Sequence, residues 1–197
     1  LPLMFSWELL LDAVVLGTMV GCFYAAVSIG LAISFGMLDV PNVTHPALLV
    51  LASYGTWLLG GFEIDPIFAG LILMPLFFAI GIVLYRVYHE TFEKRGSQAA
   101  VRGLAFFFGI TFIIEVGIIM AFGVDQPTVQ AFYIGKSIEI LEIRIPMRMI
   151  AAFAMALLLS AALALYFNRT FLGRAIRAVA QDEEALRLMG ADPVRIK

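Results

Sequence analysis

The feature that most constrains this chain is its long runs without a single Asp, Glu, Lys or Arg. One covers residues 13–38. Others follow at 46–62, 66–85 and 149–167, and 103–124 is interrupted only by Glu115. A helix rises about 1.5 Å per residue, so roughly 20 apolar residues cross about 30 Å of hydrocarbon. The chain therefore reads as an all-α, polytopic helical membrane bundle with about five spans. Membrane-spanning strands would alternate apolar and polar residues over about ten positions, and no such stretch occurs here. Composition agrees, since 62% of residues are hydrophobic and 14% charged, too little polar surface for a water-facing globule.

The remaining polar residues exclude several classes. A net charge of −2 offers no basic surface for nucleic acid. Cys22, the one cysteine, lies inside an apolar run and reads as a small packing residue rather than a redox group. The first run is too long for a signal-peptide core, and no Lys or Arg precedes it. The sequence opens at Leu1 and closes on Arg195-Ile196-Lys197 inside a polar segment, so a longer chain is expected. Within it, residues 1–167 form a membrane region and 168–197 a polar tail. No cofactor, metal site or catalytic constellation is expected: His45 and His89 lack ligand spacing around them, and no nucleophile has a base at hand.

Orientation follows from Lys and Arg, which favour the cytoplasmic side. Arg86, Lys94, Arg95 and Arg102 crowd the third connection, and Arg169, Arg174, Arg177, Arg187, Arg195 and Lys197 fill the tail. Residues 86–102 and 168–197 are thus expected in the cytoplasm, with the amino terminus and the loop 125–148 outside. Inside that loop, Ser137 to Ile145 alternates polar and apolar residues. The period of two fits a short strand or an extended cover, and equally a plain surface loop.

Four places could carry function. Gly17, Gly21 and Ala25 recur every fourth residue, with Gly30 beyond, and such small residues let another helix approach closely. Residues 39–46, Asp39-Val40-Pro41-Asn42-Val43-Thr44-His45-Pro46, break the apolar pattern with two prolines. This is either a cytoplasmic turn or a discontinuous, re-entrant helix, in which case Asn42 and His45 line a pathway. Glu115 costs a few kcal/mol inside a span and should face the bundle interior, as a polar latch (to Asn42, Tyr24 or a residue outside this sequence), a lining group or a proton site. In the tail, Asp182 reads as an N-cap before a short helix at 183–189 that Gly190 closes. Its Leu186 and Met189 share one face, suited to a groove on another protein or to lipid head groups.

Two of these stretches carry a resemblance. Gly17-Thr18-Met19-Val20-Gly21-Cys22-Phe23-Tyr24-Ala25, continuing through Gly30 and Gly36 to Asn42-Val43-Thr44-His45, resembles the first span and signature of the branched-chain amino acid permeases of ATP-binding cassette importers. Gly173-Arg174-Ala175, Arg177-Ala178-Val179-Ala180-Gln181-Asp182, Glu184-Ala185 and Gly190 resemble the coupling loop of importer permeases. Val43-Thr44 stands where the family has Phe-Ala, and Pro46 where it has Gly.

The resemblance implies a permease subunit of a bacterial inner membrane. Its partners would be two cytoplasmic ATP-binding subunits, a second permease subunit, an extracytoplasmic solute-binding protein and the lipid bilayer. It further implies that Tyr24, Asn42, His45 and Glu115 border the path. Arg174, Arg177, Glu184, Ala185, Leu186, Met189 and Gly190 would engage an ATPase. No nucleotide-binding loop occurs in the chain, so ATP hydrolysis is expected in partners. The rival reading is a proton-coupled secondary transporter using Glu115.

Overall fold

The computed structural model describes residues 7–36, 42–95, 99–125, 127–140 and 143–182. They form α1 (Trp7–Gly36), α2 (His45–Gly60), α3 (Pro66–Thr91), a 3-10 turn (Glu93–Arg95), α4 (Ala99–Phe122), β1 (Ser137–Ile140), β2 (Ile143–Pro146), α5 (Met147–Arg169) and α6 (Phe171–Gln181). Two compact units result, one drawn from Leu1–Asp39 and Phe132–Lys197, the other from Val40–Ala131.

The bundle is helical, as expected. Each helix outruns or closely matches its uncharged stretch, because backbone hydrogen bonding stops at caps rather than at the first charge. Thus α3 continues through Arg86, His89 and Glu90 to Thr91. Among the described residues, four helices are long and apolar enough to cross a membrane: α1, α3, α4 and α5. The fifth expected span is the exception. With 16 residues, α2 reaches only about 24 Å, short of a hydrocarbon core of about 30 Å.

In the first unit α1 packs along α5, and β2 also touches α1. The alternating segment is a strand pair rather than a plain loop. Antiparallel register sets Ile138 opposite Ile145, Glu139 opposite Arg144 and Ile140 opposite Ile143. Period two sends these pairs to alternate faces. Ile145 is buried, while Arg144 bridges exposed Glu139 through Nη2 at 2.6 Å and Nε at 2.8 Å. The Met147 amide donates to the Lys136 carbonyl at 2.9 Å, fastening the start of α5 to the hairpin.

In the second unit α2 packs on both α3 and α4. Asp65 caps α3 by accepting from the Ile67 amide at 2.9 Å, with Pro66 in the first turn, where its missing donor costs nothing. Gly55 is where α2 meets α3 closely: a Cβ there would stand 3.0 Å from a methyl of Leu73. Gly123, at φ +80, closes α4 with its amide on the Ile119 carbonyl at 2.8 Å. An aromatic cluster joins α3 to α4. Tyr88 and Phe107 are buried with ring centroids 5.4 Å apart, and Phe92 and Phe106 stand at the same distance.

Candidate functional site

The polar break is described from Asn42 onward, where it is a turn. Asn42 Oδ1 accepts from the Thr44 amide at 3.2 Å. Thr44 is fully buried, and its Oγ1 donates to the Phe107 carbonyl of α4 at 2.8 Å. Thr111, one helical turn further along α4, has two acceptors in reach of its single hydroxyl proton, that carbonyl at 3.0 Å and Val43 O at 3.4 Å. So α2 starts without a side-chain N-cap, because the hydroxyl that could serve is used across the unit. Pro46 fits in the first turn, with no amide to satisfy.

These bonds fix the depth of the break along α4. Phe107 lies eight residues past the start of α4, about 12 Å along its axis. At the other end of α2, Tyr54 and Trp57 reach Phe122 with ring centroids 5.0 and 5.9 Å apart. Tyr54 also donates to the Asp125 carbonyl at 3.4 Å. Hence α2 runs beside α4 in the same direction, from the level of Phe107 to that of Phe122. A short helix that starts partway along a spanning neighbour is the geometry of a discontinuous segment, with its turn covered by protein. Asn42 and His45 are half-buried at this turn.

Glu115 lies one turn beyond Thr111 on α4, so the two share a face. It does not face the interior of its own unit. It is exposed, and among the described residues it makes no hydrogen bond or ion pair, so within its own unit no latch to Asn42 is formed. The reason is rotational: the buried side of α4 carries Gly103, Phe107 and Ile118, and Glu115 stands at its edge.

The stripe on α1 is also turned outward. Gly17, Gly21 and Ala25 are exposed, and a Cβ at Gly17 or Gly21 would meet nothing within 4 Å. The half-buried side of α1 carries Leu16, Met19, Val20, Val27 and Ile33 instead. Gly30 joins that side rather than the stripe, because it lies about three and a half turns past Gly17. Within its own unit the stripe therefore meets no described helix, and its small residues stay open to one from elsewhere. Tyr24, 62% exposed, stands on the open side with Ser28, whose hydroxyl donates to the Tyr24 carbonyl at 2.8 Å.

The third element lies where the chain leaves α5. Phe171 to Gln181 form a helix the sequence reading did not assign, with Thr170 alone separating it from α5. Thr170 serves both ends: its Oγ1 donates to the Tyr166 carbonyl at 2.7 Å and accepts the Gly173 amide at 2.9 Å. Gly173 is buried against the end of α5. A Cβ there would stand 2.5 Å from both Phe167 Cα and the Tyr166 carbonyl, so no larger residue fits. Arg177 is turned inward and donates to the Phe167 carbonyl at 2.5 Å, whereas Arg174 is exposed. The last carbonyls of α5, which have no partner within their own helix, are thereby satisfied from the next element. Asp182, expected as an N-cap, closes α6 with its amide on the Ala178 carbonyl at 3.1 Å.

The helix expected at 183–189, with Glu184, Ala185, Leu186, Met189 and Gly190, lies outside the described residues. No curated protein and no solved structure matches the chain. The profile of the family described as branched-chain amino acid transport system / permease component matches residues 13–197, from α1 through the tail. The chain belongs to that family and is a multi-pass transmembrane permease.

Proposed function

We propose that this permease works in an ATP-binding cassette importer, carrying branched-chain amino acids or a related small organic solute inward across a bacterial inner membrane. The observation that carries the reading is the family match, because it takes in residues 168–197 as well as the spans. On this reading two cytoplasmic ATP-binding subunits dock on the tail, and a second permease subunit completes the passage. A solute-binding protein docks outside, on the loop that holds the β1–β2 hairpin. The chain itself hydrolyses nothing. The amino terminus faces outward, and 86–102 and 168–197 face the cytoplasm.

The path borders Asn42, His45, Glu115 and Tyr24. Two features support this. The turn at Asn42–Thr44 lies about 12 Å along α4, and polar backbone at such depth is tolerated where it is covered by protein or lines a wet cavity. Glu115, exposed on its own unit inside a candidate span, is costly against lipid and acceptable against water or a partner. That same carboxylate favours the second reading, a proton-coupled carrier.

The test is purification of the intact protein in mild detergent with mass identification of what accompanies it. Two ATP-binding subunits and a second permease support the importer. A folded chain recovered alone, taking up solute on a proton gradient, overturns it in favour of the carrier.

A further inference from the structure

The geometry points to Arg177 as a positioning residue that makes the α5–α6 junction a rigid elbow, through which movement of the tail is delivered to α5. This rests on the importer reading and adds the part that transmits the stroke.

Two helices separated by one residue would ordinarily swivel about it. Here three independent restraints remove that freedom. Thr170 bonds backward to Tyr166 and forward to Gly173 through one hydroxyl. Gly173 brings α6 so near α5 that a single added carbon would overlap Phe167 Cα. Arg177, seven residues into α6, reaches back ten positions to the Phe167 carbonyl. The first two act at the corner itself, where they fix position but have little leverage over angle. The Arg177 guanidinium ties α6 to α5 one turn further out, closing a triangle. A planar guanidinium with several donors in fixed geometry suits this better than an ammonium on a flexible stem.

The elbow matters because of what α5 is joined to. It packs along α1, and the amide of its first residue is bonded to the carbonyl of Lys136, just ahead of the hairpin. Tail, α5, α1 with Tyr24, and the hairpin thus belong to one compact unit. A displacement of α6 that does not bend the elbow must carry α5 with it. If the elbow bends, the ATPases can close without moving the spans.

The experiment uses the complete transporter with its ATPases in proteoliposomes, measuring ATP hydrolysed and solute accumulated in the same vesicles. In vesicles matched for subunit stoichiometry, Arg177→Ala should lower the solute moved per ATP about tenfold, within the usual range of coupling between distant sites. Arg177→Lys, which restores one donor but not the fork, should recover part of that ratio. A wild-type ratio in Arg177→Ala overturns the elbow while leaving the importer reading intact. Should Arg177→Ala fail to assemble, a wild-type ratio in Arg177→Met, which keeps the length of the side chain and loses every donor, overturns it as well. An unaltered chain that recruits no ATPase would instead sink the importer reading.

Discussion

At the scale of single residues, Thr44 shows how one hydroxyl sets a depth. Its bond to the Phe107 carbonyl is buried, and bonds of this kind between membrane helices contribute about 0.6 kcal/mol on average and up to about 1.7. Thr44→Val, which keeps the shape and removes the donor, should lower stability in detergent by about that amount. Chemical denaturation of the purified protein measures it. In sequence, Thr44 was legible as part of a polar break and as a departure from the family pattern, but not as an anchor, because its partner lies 63 residues away. Glu115 was legible as costly, and its burial was inferred from that cost. Glu115 is nonetheless exposed on its own unit, because the covering can be supplied from outside it. If Glu115 lines a wet path, Glu115→Gln keeps solute uptake within about threefold, since uniform changes in a polar wall leave the coupling itself alone. Complete loss of uptake with normal assembly would mark a titrating role.

At the scale of elements, two sets of glycines that look alike in sequence behave oppositely. Gly17→Ala and Gly21→Ala should leave the isolated chain at least as stable as before, because the added methyl meets nothing and alanine favours a helix over glycine. Gly173→Ala forces a backbone clash at 2.5 Å, and overpacking of this sort costs about 1–3 kcal/mol. Thermal unfolding of the three variants in one detergent separates the two cases. Nothing in the local sequence distinguishes them, since close approach is a property of the neighbouring backbone. The strand pair was legible, because period two survives whatever surrounds it. Helix α6 was legible too, though overlooked: Phe171, Leu172, Ala175, Ile176 and Val179 fall on one side at helical spacing, with Arg174, Arg177 and Gln181 opposite. Asp182, which reads as a start in sequence, also serves through its amide as the end of α6.

At the scale of the whole molecule, the spans were read from uncharged runs because lipid imposes the same length on every crossing. Four of five obey that rule; α2 does not, because it leans on α3 and α4 rather than crossing alone. On the importer reading, Leu186→Asp puts a charge into an apolar knob and should abolish association with the ATP-binding subunits while leaving membrane insertion unchanged. Co-purification at wild-type stoichiometry would refute the assignment of Leu186 to that contact. The short helix also bears on how the protein is made. Segments enter the bilayer from the ribosome in order, each judged by its own hydrophobic length, and α2 arrives before anything can hold its polar start at depth. Thr44 must wait for Phe107, 63 residues later, a delay of about 3–13 s at synthesis rates of about 5–20 residues per second. During that interval the future turn has no shelter, so the birth of this protein includes a stage in which a nearly finished wall is still missing the post it will be nailed to.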